Sequence, residues 1–112
     1  MVKKKYIPDR GDIVWLDFNP QSGHEQKGRR PAIVISPALY NEKTNLAIFC
    51  PITTQIKGYP FEVNVSEKKI EGVVLADQVK SLDWKQRNAK FIVKSKDDVT
   101  NLVLQKLSLL IK

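Results

Sequence analysis

Short apolar runs separated by turn residues occupy most of the chain. Residues 12–18 alternate weakly between apolar and polar positions and lie between Gly11 and Asn19-Pro20, which predicts a first strand. An apolar run that follows Pro31 predicts a buried second strand, and residues 37–45 are predicted to form a connection with one helical turn. Further strands are predicted at residues 46–52, 61–65, 72–76 (extended by Gln78 and Val79) and 91–93.

The period changes near the end of the chain. From Val99 onward, apolar residues recur at helical spacing, which predicts an amphipathic helix over residues 96 to about 110. Leu104, Leu109 and Ile111 lie outside its main stripe, so the wider apolar surface indicates either deep burial or a dimer contact. Short strands followed by one helix predict a mainly β fold, a small antiparallel barrel closed or flanked by the C-terminal helix.

Length and charge narrow the class of protein. The 112 residues fit a single domain, residues 1–112, and the net charge of +7 favours an anionic partner such as nucleic acid, a membrane surface or an acidic protein. The single cysteine, Cys50, excludes a disulfide framework and fits a reducing cytoplasm. No apolar run is long enough for a signal peptide or a membrane span, so no membrane association is expected.

The densest polar segment is residues 23–31. It contains Glu25, the only histidine His24, and two arginines, Arg29 and Arg30. Pro31 biases Arg30 toward an extended backbone, so the arginine is predicted at the mouth of a strand. The alternative is a solvated loop with unpaired charges, and composition alone favours that alternative.

A second polar segment covers residues 51–61. Thr53 and Thr54 follow an apolar strand, where their hydroxyls are suited to a phosphate oxygen, and Lys57 adds a positive charge. Tyr59 is suited to stacking on a base. The alternative is that these threonines reflect strand propensity alone and that Phe61 belongs to the core.

Five motifs in order resemble one family. They are GDIVWLDF at residues 11–18, GRRPAIVISP at 28–37, CPITTQ at 50–55, KGYPFEV at 57–63 and GVVLADQVKS at 72–81. In this order and spacing, over nearly the whole chain, they resemble the MazF toxin family, the PemK-like or Kid-like toxins of bacterial type II toxin–antitoxin modules.

The resemblance implies a fold and an activity. It implies an SH3-like barrel with a C-terminal helix, a homodimer, and a ribosome-independent mRNA interferase of the bacterial cytoplasm that causes growth arrest. Such an endoribonuclease cuts single-stranded RNA at short sequences, using the RNA 2′-hydroxyl as nucleophile and leaving 2′,3′-cyclic phosphate and 5′-hydroxyl ends. It implies no metal and no cofactor, and an acidic antitoxin as a neutralising partner.

The resemblance also implies roles for individual residues. The family's key arginine corresponds to Arg30, its strand-end threonine to Thr53 and its loop glutamate to Glu25, which acts as the base or only orients Arg30. Arg29 stands where relatives often carry histidine, so its expected contribution to RNA binding is charge. His24 is expected to be a bystander, and both tryptophans, Trp15 and Trp84, are expected to be structural. Additional RNA contacts are predicted at Asn19, Gln55, Lys57, Tyr59 and Gln78.

Two other functions remain open from the sequence. The first is a toxin of the same barrel that inhibits DNA gyrase, as in the CcdB family, although that family lacks the pair formed here by Arg30 and Thr53. The second is a non-catalytic RNA-binding barrel. Incubation with a long defined RNA separates the nuclease from the other two, because only the nuclease leaves mapped cuts with cyclic phosphate ends.

Overall fold

The computed structural model describes residues 5–18 and 28–111 of the chain. This part contains seven strands and two helices, as predicted for a mainly β fold that ends in a helix. The strands are β1 Asp12–Asp17, β2 Arg29–Val34, β3 Leu46–Thr53, β4 Glu62–Glu67, β5 Ile70–Leu75, β6 Lys80–Asp83 and β7 Lys90–Lys94, and the helices are α1 Ala38–Thr44 and α2 Asp97–Ile111.

The seven strands of the described region form one antiparallel sheet. Its order is β4-β5-β3-β2-β1-β7, and β6 pairs separately with β3. β3 is therefore central, because it pairs with β2, with β6 over residues 46–49 and with β5 at Ile52 and Thr53. Pro51 lies where the partner changes from β6 to β5, which is a position that tolerates a residue without a backbone donor.

Both faces of the sheet are covered, so the chain has two apolar clusters. Adjacent residues of β1 separate into them, since successive side chains of a strand point to opposite faces. Ile13 packs in the larger cluster, which also takes Val103 of α2, and Val14 packs in the smaller cluster with Phe49 and Trp84. Because both faces are buried, β1 shows only weak alternation in the sequence.

Helix α2 packs on the sheet along one side only. Val103 is fully buried, and Val99, Leu104 and Leu107 pack against the larger cluster. Leu109 and Ile111 are 73% and 74% exposed. Packing against the sheet therefore accounts for Leu104 but not for Leu109 and Ile111.

The differences from the predicted elements are local. The segment after Leu75 does not extend β5, because Gln78 lies in a turn in which its amide donates to the Leu75 carbonyl, and the separate strand β6 follows. β2 begins at Arg29, before the proline, and α1 has seven residues rather than one turn. Among the described residues, no helix is both long and apolar enough to cross a bilayer.

Candidate active site

Strand β2 carries two adjacent arginines at its start. In the register with β1, Arg29 lies opposite Asp17 and Arg30 lies opposite Leu16. Residues directly opposite each other in a sheet share a face, and neighbours in a strand do not. The two arginines therefore begin on opposite faces of the sheet, and their surroundings differ accordingly.

Arg30 and Thr53 lie between two cavities. The first has a volume of about 710 Å³ and the second about 230 Å³, and Arg30, Thr53 and Gln55 line both. The remaining residues of the first cavity are Trp15, Pro31, Ile52, Thr54, Lys69, Ile70 and Glu71. Those of the second are Lys57, Tyr59, Phe61, Glu62, Leu75, Asp77 and Gln78.

The backbone around Thr53 is held from two sides. Thr53 is the last residue of β3, and its hydroxyl accepts a hydrogen bond of 3.1 Å from the Gln55 amide. On the other side β5 approaches so closely that a Cβ at Gly72 would collide with the carbonyl oxygen of Thr53. Glycine at position 72 therefore permits the strand pairing that fixes Thr53.

Glu62 orders the loop that carries Lys57 and Tyr59. Its carboxylate accepts 3.0 Å hydrogen bonds from the amides of Lys57 and Gly58, and Gly58 has a φ of 79° that favours glycine. The Lys57 ammonium lies 5.9 Å from the centre of the Tyr59 ring. A cation and an aromatic face are thus presented together at the rim of the second cavity.

Arg29 is engaged elsewhere. Its guanidinium donates to Asp17 Oδ1 at 2.8 Å and to the Asn88 carbonyl at 2.9 Å. The Asn88 amide and Arg29 both donate to Asp17, and these hydrogen bonds hold the pKa of the Asp17 carboxyl below its ordinary value. Neither cavity at Arg30 includes Arg29 among its lining residues.

Comparison with known proteins identifies the family. Residues 9–111 match the model of the PemK-like, MazF-like toxins of type II toxin–antitoxin systems. The chain belongs to this family. The match spans all nine elements described above, so the family assignment and the mainly β fold with a C-terminal helix rest on the same residues.

Individual relatives agree with the assignment. The endoribonuclease toxin MazF of Escherichia coli (strain K12) is 55% identical over 85 residues, which are 76% of this chain and 77% of the relative. A crystal structure of MazF from Deinococcus radiodurans superposes with a TM-score of 0.87 at 51% identity, covering 96% of this chain and 98% of that chain. A MazE–MazF crystal structure from the same organism gives a TM-score of 0.85 at 45% identity, covering 96% and 97%.

For this member of the MazF-like family, the structure brings together most of the site residues predicted from sequence. Thr53, Gln55, Lys57, Tyr59 and Gln78 all line the cavities beside Arg30. Arg29 lies away from them, in contact with Asp17. Asn19 and Glu25, and also His24, lie outside the described residues.

The structure adds residues to the site that sequence reasoning missed. Asp77 is exposed and lines the second cavity, and Lys69 is exposed and lines the first. Trp84 is buried and donates through Nε1 to the Asn41 carbonyl, which confirms its structural role. Trp15 is instead 38% exposed and lines the first cavity. In the sequence, Trp15 stands between the apolar Val14 and Leu16 of one strand, so its side chain points to the face opposite theirs.

The described part of the site carries groups suited to a phosphodiester. Arg30, Lys57 and Lys69 supply positive charge, and Thr53 supplies a hydroxyl that the backbone positions. Asp77 supplies a carboxylate within the same second cavity. Over residues 5–18 and 28–111, no three His, Cys, Asp or Glu side chains converge in a way that could hold a metal ion.

Proposed function

We propose that the chain is a sequence-specific, ribosome-independent endoribonuclease toxin that cuts single-stranded mRNA. The observation that carries the proposal is the joint position of Arg30 and Thr53, which line both cavities at the ends of neighbouring strands. An RNA strand that crosses from one cavity to the other would bring a phosphate to this pair. Membership of a family whose curated members include endoribonucleases supports the same activity.

The reaction we propose is an internal transfer of the phosphoryl group. The RNA 2′-oxygen loses its proton to a base and attacks the adjacent phosphorus, and the bond from phosphorus to the 5′-oxygen breaks. The 5′-oxygen takes up a proton from an acid or from water as it leaves, so the products carry a 2′,3′-cyclic phosphate and a 5′-hydroxyl. Arg30 donates to the nonbridging oxygens, on which negative charge accumulates in the transition state. The Thr53 hydroxyl donates to one of the same oxygens.

Removal of the proton from the 2′-hydroxyl requires a base. Glu25 is the candidate from the sequence, either as the base itself or as a partner that orients Arg30. Asp77 is a second candidate, because its carboxylate lines the second cavity together with Arg30. The variants Glu25→Gln and Asp77→Asn distinguish the two candidates. Loss of the true base should abolish the fall of the cleavage rate toward acidic pH.

Recognition of the RNA sequence is proposed for residues around the second cavity. Bases of single-stranded RNA are read when they are splayed out, stacked and hydrogen-bonded at their edges. Tyr59 offers an exposed ring, Gln55 and Gln78 offer amides, and Lys57 offers a charge for the backbone. Asn19 is a further proposed contact.

The partners follow from the family and from the surface. We propose a homodimer, to which the exposed apolar end of α2 contributes buried area, and an acidic antitoxin as the neutralising partner. The net charge of +7 suits both an RNA and an acidic protein. An mRNA substrate and a cysteine without a disulfide partner support a bacterial cytoplasmic location.

The decisive experiment uses one long defined RNA and a matched copy with a single 2′-deoxy nucleotide at the mapped cut. We expect cleavage of the first RNA in the presence of EDTA, with cyclic phosphate ends, and no cleavage at the deoxy position. Cutting at the deoxy position would overturn the mechanism. An intact RNA together with inhibition of gyrase would replace the proposal with the other toxin class.

A further inference from the structure

We infer that Arg29 is a positioning residue for the cleavage reaction and not an RNA contact. It closes a polar clamp, which we define as Asp17, Arg29, Arg87 and Asn88. The clamp lies beside Arg30 at the loop neck, by which we mean residues 17–18, where β1 ends, and residues 28–29, where β2 begins. This inference rests on the proposed endoribonuclease function. It also replaces the sequence-based expectation that Arg29 contributes its charge to RNA.

The first part of the clamp is a closed ring of three residues, which includes the main-chain carbonyl of Asn88. Arg29 Nη1 donates to Asp17 Oδ1 at 2.8 Å, the Asn88 amide donates to Asp17 Oδ2 at 2.8 Å, and Arg29 Nη2 donates to the Asn88 carbonyl at 2.9 Å. Both carboxylate oxygens of Asp17 therefore have a donor. The charge of Arg29 is paired within the protein, which lowers its attraction for a phosphate.

The second part of the clamp holds the backbone of the loop neck. Arg87 Nη1 donates to the carbonyls of Asp17 and Phe18 at 3.1 and 2.6 Å, and the Asp17 amide donates to the Arg87 carbonyl at 2.9 Å. The Phe18 amide donates to the Gly28 carbonyl at 2.7 Å, which closes the loop. The turn before β7 thus fixes both ends of the β1–β2 loop.

The position of the neck determines what the clamp can do. Gly28 and Arg29 directly precede Arg30 in the chain. The clamp therefore holds the backbone from which the Arg30 side chain extends. A shift of the neck would move the Arg30 guanidinium, the proposed phosphate-binding group, relative to Thr53. Thr53 would stay in place, because β5 and Gln55 hold it separately.

Exposure separates this role from a purely structural one. The side chains of Arg29 and Asp17 are 38% and 26% exposed, and ion pairs this exposed contribute little to folding stability. Loss of the pair should therefore leave the protein folded. Its effect should appear instead in the turnover step, since Arg30 acts mainly on the charge of the transition state.

The test compares Arg29→Gln, Asp17→Asn and the double variant with the full-length wild type. We expect kcat to fall about 10-fold in each single variant with KM unchanged, and no further loss in the double variant, because both changes open one clamp. Arg29→Lys, which can reach Asp17 but not Asn88 as well, should recover part of the loss. Lys43→Gln on α1 removes the same charge away from the clamp and should leave kcat unchanged.

Binding of an uncleavable 2′-deoxy RNA separates the two roles of Arg29. As a positioning residue, Arg29→Gln leaves the dependence of affinity on salt unchanged. As a phosphate contact, it would reduce the slope of log affinity against log salt by about 0.7, and Asp17→Asn would free Arg29 and tighten binding. Either of the last two results would overturn the inference, as would a wild-type kcat in Asp17→Asn.

A readout without RNA keeps the clamp testable apart from the proposed activity. Hydrogen exchange at the amides of Asp17 and Phe18 should accelerate in Arg29→Gln and in Asp17→Asn, while the amides of β3 stay protected. Unchanged exchange at the neck would overturn the clamp even if RNA is cut. Wild-type protein that leaves RNA intact, with the neck responding as expected, would instead overturn the proposed function alone.

Discussion

Arg29 and Arg30 are neighbours in β2, and the protein uses them differently. Arg29 lies opposite Asp17 and is hydrogen-bonded to Asp17 and Asn88. Arg30 starts on the other face of the strand and lines both cavities together with Thr53. Alternation along the strand starts the two side chains on opposite faces, and the groups that each side chain then meets set its role.

The contrast shows how little net charge says about a binding surface. Both arginines count equally toward the +7 of the chain, but Arg29 is directed to Asp17 and Asn88, whereas Arg30 lines the two cavities. The charge that matters for RNA is the part that faces a cavity, and in the described region this includes Arg30, Lys57 and Lys69. Substitutions on the two sides of β2 should therefore have effects of different size and kind.

The largest effect is expected on the Arg30 side. Arg30→Ala should lower kcat by about 10²–10³-fold or more, because it removes donors to the oxygens that gain charge in the transition state. The measurement is single-turnover cleavage of a defined RNA. Arg29→Ala is the matched variant and should lose far less, so equal losses in the two would contradict the comparison. Circular dichroism of both variants checks that the fold is retained.

Thr53 tests the same side without changing charge. Thr53→Val keeps the shape of the side chain and removes the hydroxyl, so kcat should fall by about 10–10²-fold if the hydroxyl donates to the phosphate. Thr53→Ser keeps the hydroxyl and should retain most of the activity. A valine variant that cuts at the wild-type rate would remove Thr53 from the proposed mechanism and leave it as a strand-end residue.

Tyr59 tests whether the second cavity binds bases. Tyr59 is 58% exposed, and Tyr59→Ala should weaken binding of uncleavable RNA by ~1–3 kcal/mol if a base stacks on its ring. Tyr59→Phe should bind nearly as well as the wild type. Tyr40 on α1 is 40% exposed and lines neither cavity at Arg30, so Tyr40→Ala is the control. A loss of affinity shared by both alanine variants would argue against a base site at Tyr59.

Local patterns in the sequence predicted the elements whose signal is local. β3 and α2 were predicted within one residue at each end, because an apolar run and a helical period lie within the segment itself. β6 was missed because Lys80–Asp83 contains one apolar residue and is a strand only through its pairing with β3. The motifs predicted the residues around Arg30, but the role of Arg29 required the register with β1 and the approach of Asn88 from 59 residues away.

The smallest effect is expected from protonation of Asp17. Hydrogen bonds from Asn88 and Arg29 hold the pKa of Asp17 below its ordinary value of 3.8, so the folded protein favours the carboxylate. The resulting stability is fully present above the unfolded pKa, and it is lost as the pH falls through the lower folded pKa. Because the pair is partly exposed, the contribution should not exceed ~1 kcal/mol.

Denaturant unfolding of wild type and Asp17→Asn from pH 7 to below 3 measures this contribution as the difference between their free energies of unfolding. The difference should shrink as the pH falls below 3.8. A difference that stayed constant over this range would mean that the charge of Asp17 does not hold the clamp, and the contrast between the two arginines would then rest on shape alone.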